Sequence, residues 1–300
     1  MTSSNGLLLI DKPAGVTSHD VVARVRHELH QKKVGHAGTL DPMATGLLIL
    51  AVGPSTRLLR FAQSEVKRYT GTVQLGVTTD SLDADGEIID EMEVPALDAQ
   101  DVQRAATAML GAQLQTPPMV SALKVGGRRL HELARQGIEV ERTPREVTIF
   151  EFRVTPSSDR TRWDFDVRCS VGTYVRVLLS DLAGRLGTCG HLTALRRLAS
   201  GSHDVREAVT LERLHERLES GESVLLAPRA FVEHLEHVQV DEDEERRLRM
   251  GQMLELAGNF ATSEIAAVNS AGDLVGILRR RGEHWKPELV LPERPTSGRG

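Results

Sequence analysis

One aspartate stands between residues that restrict the backbone: Asp41, in HAGTLDPMATG at residues 36–46. Pro42 fixes its own φ and biases Asp41 away from the helical region, while Gly38 and Gly46 allow turns that residues carrying a Cβ resist. The apolar run LLILAV at residues 47–52 reads as a buried strand, so the loop hangs from the core. A carboxylate on a stiff, anchored loop suits a nucleophile or a general base. An Asp-Pro pair on its own signals only a turn. Tyr174 and Arg176 fall in the first turn of a helix that follows a strand, where a guanidinium and free N–H groups hold a carboxylate or a phosphate. Tyr69 opens an alternating segment with Gly71, Val73, Leu75 and Val77 on its face, so its ring points to the apolar side. Core packing is the other explanation for both tyrosines.

The elements that position these groups follow from the pattern. A helix is predicted from Thr17, whose hydroxyl caps it and whose Asp20 suits the positive end, with Val21, Val22, Val25 and Leu29 as its apolar stripe. WDFDVRCSVG at residues 163–172 alternates Trp163, Phe165, Val167, Cys169 and Val171 with Asp164, Asp166, Arg168 and Ser170, as a half-buried strand does. Gly172 breaks it, and Thr173 is expected to cap a helix that buries Val175, Leu178, Leu179, Leu182 and Leu186 before Gly187 ends it. The acidic run TDSLDADGE at residues 79–87 resembles a calcium loop but fails the pattern, with Ser81 at the first ligand position and Met92 where the bidentate Glu belongs. A solvated hairpin loop is expected instead. After residue 210 the pattern changes to LERLHERLES and then DEDEERRLR, and a domain boundary is placed between Val232 and Val240.

Three hundred residues suit one large domain or two smaller ones. No apolar run approaches the roughly 18 residues that span a bilayer, and LLLI at residues 7–10 is too short for a signal peptide, so a cytoplasmic address with no membrane association is expected. The two cysteines, Cys169 and Cys189, lack metal-site spacing, and neither a metal nor any other cofactor is expected. The net charge of -5 is unevenly spread: residues 71–103 hold nine acidic and no basic side chains, and residues 211–300 carry the whole deficit. Screening makes such local charge decisive, so a basic face for phosphates is compatible with an acidic total. An ordinary acidic enzyme is equally compatible with it.

Six ordered segments resemble the TruB family of tRNA pseudouridine synthases: GLLLIDKPAGVTSHDVV (6–22), GHAGTLDPMATGLL around Asp41, KRYTGTVQLGVTTDSLDADG (67–86), SALKVGGRRLHELARQGIEV (121–140), GTYVRVLLSDLAGRLG (172–187) and HLTALRRLASG (191–201). The resemblance is strong over the first two thirds and weaker beyond. It implies an α+β fold with a mixed, largely antiparallel central sheet, flanking helices and a small C-terminal PUA-like β domain. The catalytic domain would occupy residues 1–235, with a thumb-like RNA-gripping insertion at about 119–145. The PUA-like domain would occupy 236–295, followed by a disordered tail at 296–300.

The implied reaction converts uridine to pseudouridine at position 55 in the T arm of tRNA, without cofactor or protein partner, by a monomer. Asp41 is the implied nucleophile, attacking either C6 of the base or C1′ of the ribose, and Arg176 its partner, lowering its pKa. A stacked uridine must be flipped out and received on an aromatic surface, a role for Tyr69 that the family extends to proton transfer. The family also places His36, Tyr174 and Leu195 at the substrate, with His36 filling the space the base leaves. Lys12 is expected to support the site or touch the phosphate backbone. Lys124, Arg128, Arg129 and Arg135, around the hinges Gly126 and Gly127, suit a mobile element over RNA, a solvated helix face being the alternative. Val120 and His131 depart from the family's usual aromatic residues there. The competing functions are a guide-RNA-dependent synthase, a non-catalytic tRNA-folding factor and a metal-dependent hydrolase.

Overall fold

The computed structural model describes residues 5–62, 66–121, 136, 138, 140–157 and 159–293, together with the backbone of 124–125 and 128–129. Strand β1 (Gly6–Lys12) leads into helix α1 (Ser18–Glu28). The Thr17 hydroxyl accepts the Asp20 N–H while the Asp20 carboxylate accepts the Thr17 N–H, a reciprocal cap. Val21, Val22 and Val25 are buried beneath it.

Strands β2 (Val34–Ala37) and β3 (Thr45–Val52) flank the loop that carries Asp41. Successive side chains of a strand point to opposite faces, and β3 is buried on both. Leu48, Leu50 and Val52 join the core under α1, whereas Leu47, Ile49 and Ala51 join a second core on the far side. This two-sided burial is why residues 47–52 are apolar without alternation.

The chain continues through a one-turn helix α2 (Leu59–Ala62), β4 (Lys67–Leu75), the hairpin β5 (Val77–Thr79) and β6 (Ile88–Glu91), α3 (Ala99–Thr107) and β7 (Gly111–Gln115). Next come the short hairpin β8 (Lys124–Val125) and β9 (Arg128–Arg129), then β10 (Arg145–Pro156), β11 (Arg162–Cys169), α4 (Val175–Arg185), β12 (Gly190–Ser200) and β13 (His203–Asp204). The main sheet runs β1-β3-β12-β4-β11-β10-β7, with β2 added on β3 and β13 on β12. All of its pairs are antiparallel except β12 with β3, where Arg196 faces Thr45 and Arg197 faces Gly46. Helices α1, α3 and α4 cover one face.

Helix α5 (Leu211–Glu219) precedes a second sheet, β14 (Glu236–Gln239), β15 (Glu264–Val268), β16 (Leu274–Arg281) and β17 (His284–Val290), with helix α6 (Glu242–Arg249) between its first two strands. Ala266, Ile277 and Leu289 of this sheet pack into the same core as Leu47, Ile49 and Ala51 of β3. The architecture is α+β, a mixed and largely antiparallel sheet with flanking helices and a small C-terminal β unit. Among the described residues no helix is long and apolar enough to cross a membrane.

Five local expectations are corrected. Helix α4 starts at Val175 with Tyr174 as its cap. The Thr173 hydroxyl instead donates to the Ser170 carbonyl at 2.9 Å, and Gln115 Oε1 accepts the Tyr174 N–H at 2.7 Å. Val171 lies beyond the end of β11 and is exposed. Strand β4 stops at Leu75 because Gly76 turns the chain at φ +90°, so Val77 opens the next hairpin. Most consequentially, the acidic loop is not simply solvated: Thr79, Ser81 and Asp83 are buried. In the thumb segment Lys124 pairs with Arg129 and Val125 with Arg128 as a hairpin, in place of a helix face. The expectations for Gly126, Gly127, His131, Arg135 and the tail at 296–300 lie outside the described residues.

Candidate active site

A cavity of about 350 Å³, lined by Asp41, Lys67, Tyr69, Tyr174, Arg176, Leu195 and Arg197 among others, opens beside the loop between β2 and β3. This lies within the roughly 300–1,000 Å³ range of small-molecule pockets. Two glycines shape the loop. Gly38 has φ +84°; Gly46 has φ +101°, and a Cβ on it would lie 2.3 Å from the Arg197 carbonyl oxygen. The loop therefore turns sharply at both ends and holds Asp41 over the cavity, with about a third of its side chain accessible.

Behind Asp41 lies Arg176, the second residue of α4, only 3% exposed. Its Nε is 3.0 Å from Asp41 Oδ2 and its Nη2 3.2 Å from Asp41 Oδ1, a fork-to-carboxylate pair. Nη2 also donates to the Val120 carbonyl at 3.0 Å, tying the base of the thumb segment to the site. Nη1 donates to the Ser81 carbonyl at 2.7 Å and lies 3.1 Å from Asp83 Oδ2. One guanidinium thus serves two carboxylates. Burial pushes the Asp41 carboxyl above its usual range, and Asp83 and Asp85 add to that push, while Arg176 and Lys12 oppose it. The expected lowering by Arg176 operates but does not win.

Asp83 was not anticipated from the sequence. It is held by the Ser81 hydroxyl, which donates to Asp83 Oδ1 at 2.5 Å, and by the Asp85 N–H at 3.1 Å. Leu82, at φ +62°, turns the backbone between Ser81 and Asp83, an uncommon conformation for a branched residue and one that tends to persist where surrounding structure enforces it. The available signal was periodicity: Thr79, Ser81 and Asp83 share one face at a spacing of two, whereas Asp80 and Ala84 are exposed.

Tyr69 stands on β4 opposite Val167 of β11 and Arg197 of β12, 7% exposed, with its ring lining the cavity. Burial raises its phenol pKa, and the positive charge of Arg197 partly opposes this. Leu195 lies two residues before Arg197 on the same face of β12 and also lines the cavity, as does Tyr174 at the head of α4. Burial likewise raises the Tyr174 phenol. Asp41, Tyr69, the Tyr174–Arg176 segment and Leu195 are thereby brought together from four separate parts of the chain.

Lys12 and His36 stand beside the cavity and do not line it. Lys12 is fully buried, its Nζ donating to the carbonyls of Val16 at 2.7 Å, Pro13 at 2.9 Å and Pro42 at 3.2 Å. It cannot touch RNA; it pins the residue that follows Asp41. Burial lowers its pKa to about 8. His36 is on β2 and does not line the cavity; its ring meets His19 edge to face, with centroids 5.4 Å apart. Burial pushes its imidazole down to about 4, so it is neutral at physiological pH. The side chains of Lys124, Arg128 and Arg129 lie outside the described residues. Among the described residues no group of three or more His, Cys, Asp or Glu could hold a metal ion. The site offers a half-buried carboxylate braced by a cation, an aromatic wall and room for a small ring.

Comparison with known proteins extends this picture. A model of the TruB family pseudouridylate synthase N-terminal domain matches residues 26–175. A tRNA pseudouridylate synthase B C-terminal domain matches 176–239, and a tRNA pseudouridine synthase II C-terminal model matches 235–292. The tRNA pseudouridine synthase B of Leifsonia xyli subsp. xyli is 43% identical over 296 residues, 96% of this chain and 97% of that protein. That of Streptococcus thermophilus is 38% identical over 294 residues, covering 96% and 99%. Among solved structures, a chain of a Cbf5-Nop10-Gar1 complex shares the fold at a TM-score of 0.74 and 21% identity, covering 96% of this chain and 84% of that one. With family models that together cover Asp41, Tyr69 and Arg176 and relatives matching along nearly its whole length, the chain belongs to the TruB family and is a pseudouridine synthase.

Proposed function

We propose that this enzyme isomerises uridine to pseudouridine at position 55 in the T arm of tRNA, with Asp41 as the nucleophile. The observation that carries the reading is the two-point pairing of Arg176 with Asp41 at the edge of a ring-sized cavity walled by Tyr69 and Leu195. The reaction breaks the N1–C1′ bond, turns the uracil and rejoins it through C5. It needs an ionised nucleophile and a place to keep the detached base. Arg176 favours the carboxylate form against the burial that opposes it. Tyr69 receives the flipped base on its ring, and Tyr174 and Leu195 close the remaining sides.

The names of the relatives point to tRNA as substrate. In this reading the monomer acts alone, with residues 1–235 as the catalytic unit and 236–295 as an RNA-binding unit. The test is incubation of the purified protein with an unmodified tRNA transcript, followed by mapping of pseudouridine. Modification at position 55 without added RNA or protein supports the reading. Dependence on a guide RNA or partner protein, modification elsewhere, or binding without modification would each refute part of it.

A further inference from the structure

The backbone of the Asp41 loop is held by three buried polar side chains, each from a different element. From α1, the Ser18 hydroxyl accepts the Leu40 N–H at 2.9 Å and donates to the Leu40 carbonyl at 3.1 Å. From β1, the Lys12 ammonium donates to the Pro42 carbonyl at 3.2 Å. These two fasten the residues on either side of Asp41. From β12, Arg197 fastens both ends of the loop: its Nε donates to the Leu47 carbonyl at 2.6 Å and its Nη2 to the Gly38 carbonyl at 3.1 Å.

Packing alone does not explain an arginine here. Arg197 is 1% exposed, and among the described residues no carboxylate forms an ion pair with it, whereas its neighbour Arg196 meets Asp11 at 2.7 Å. A buried guanidinium without a counter-charge is costly, and an apolar side chain of similar volume would fill the space at lower cost. What only arginine supplies is two donors at a fixed separation on one rigid plane. Its backbone constrains the same loop. Arg197 stands opposite Gly46 where β12 and β3 run parallel, and a Cβ on Gly46 would lie 2.3 Å from its carbonyl oxygen and 2.8 Å from its nitrogen.

We propose that Arg197 is a positioning residue for the reaction: by fixing the span between the two ends of the loop, it fixes where the Asp41 carboxylate stands over the cavity. This inference rests on the proposed function, in which Asp41 is the nucleophile. Arg176 holds the carboxylate itself, and Arg197 holds the backbone that carries it. Reacting atoms must stand about 3–3.5 Å apart and aligned, and a displacement of about 1 Å can cost on the order of 100-fold in rate. Arg197 also lines the cavity, so truncating its side chain leaves a hole that opens to small solutes.

The experiment follows single-turnover pseudouridine formation on a tRNA transcript, with tRNA affinity and thermal melting measured alongside. Arg197→Lys keeps the charge and replaces the fork by a single ammonium, which holds one end of the loop at a time. Its rate should fall by about 10- to 100-fold while tRNA affinity is unchanged. The acid limb of its pH–rate profile should stay in place, because Arg176 still serves Asp41. Arg197→Ala should be slower still. Methylguanidinium should restore part of its rate in a saturable way, and methylammonium at the same concentration should not, since only the planar ion can bond both carbonyls together. A parental rate for Arg197→Lys, a loss that lies in tRNA affinity, or equal rescue by both cations would overturn the inference and leave the proposed function standing. A displaced acid limb would also overturn it, because Arg197 would then act on Asp41 by charge. Normal turnover by Asp41→Asn would instead refute the reading on which the inference rests. Should neither Arg197 variant fold by thermal melting, the α-hydroxy acid analogue of threonine at position 39 supplies the test with Arg197 intact. It turns the Gly38 carbonyl into an ester, a weaker acceptor, so turnover should slow at unchanged tRNA affinity, and a parental rate would refute the clamp.

Discussion

Replacing Asp83 by Asn removes one of the two carboxylates that share Arg176 and leaves the side chain nearly isosteric. The amide oxygen can still accept from Ser81 and Asp85, but its NH2 group faces Arg176 Nη1, donor against donor. Two consequences compete. The first is electrostatic. Carboxylates on different nitrogens of one guanidinium lie on the order of 6 Å apart, where an effective dielectric of about 20 gives about 2–3 kcal/mol of repulsion before screening by the guanidinium. Asp83 is among the causes that raise the Asp41 carboxyl. Its removal should lower that carboxyl. Because a nucleophilic Asp41 must be ionised, the rate falls as pH drops through its raised pKa. The acid limb of the parent should therefore lie above the ordinary Asp value of about 3.9, and that of Asp83→Asn should move to lower pH. The second consequence is structural. Asp83 and Arg176 are both nearly inaccessible, and breaking a buried pair costs about 3–5 kcal/mol. Arg176 keeps Asp41 here, so about 2–3 kcal/mol is expected, or a Tm lower by about 5–10 °C. Single-turnover rates from pH 4 to 8 and thermal melts measure the two separately. An acid limb that stays in place or rises would refute the shared-guanidinium argument, even if the melting temperature falls.

Three further outcomes follow from the site. Asp41→Asn should abolish pseudouridine formation while tRNA binding survives, because the shape is kept and the nucleophile lost; normal single-turnover rates would contradict this. Tyr69→Phe should bind tRNA normally and turn over slowly, whereas Tyr69→Leu, lacking the ring, should also bind less well, on the scale of about 1–3 kcal/mol for base stacking. Normal turnover by the Leu variant would make Tyr69 a plain core residue. Arg128→Ala with Arg129→Ala should flatten the salt dependence of tRNA binding, each lost duplex phosphate contact removing about 0.9 from the slope of log K against log salt. Binding isotherms at several salt concentrations would show an unchanged slope if these arginines touch only solvent.

What could be foreseen from the sequence was what local pattern controls. The Thr17 and Asp20 cap, the alternation from Trp163 to Cys169 and the glycines around Asp41 are each decided within a few residues. The groups that were missed depend on distant partners. Asp83 sits in a run whose composition suggests solvent, and only α4 arriving with Arg176 turns it inward. Arg197 lies in a strand beside the correctly placed Leu195, but a fully buried arginine is rare enough that its type argued against the interior. Of the two roles expected for Lys12, its bonds serve support of the site, and only the fold shows how three backbone carbonyls from different turns enclose its ammonium. Thr173 illustrates a smaller competition: a local bond to Ser170 outweighed capping, and a glutamine from β7 took the cap's place.

Strand β3 has a bearing on how this enzyme can be cut down or rebuilt. One of its faces supports the catalytic sheet's own core, and the other belongs to a second core that Ala266, Ile277 and Leu289 of the C-terminal sheet complete together with Phe61, Phe231 and Val232. A fragment ending before that sheet would keep Phe61, Phe231 and Val232 but strip Ala266, Ile277 and Leu289 from the core that Leu47 and Ile49 share, immediately after the loop that presents Asp41. Each such side chain stabilises by about 1.5–3 kcal/mol when fully buried. The C-terminal unit is therefore a brace for the nucleophile's loop as well as whatever it is to RNA. A shortened enzyme that loses activity would say nothing about substrate contacts until the rigidity of that loop had been restored, for instance by polar residues at 47 and 49.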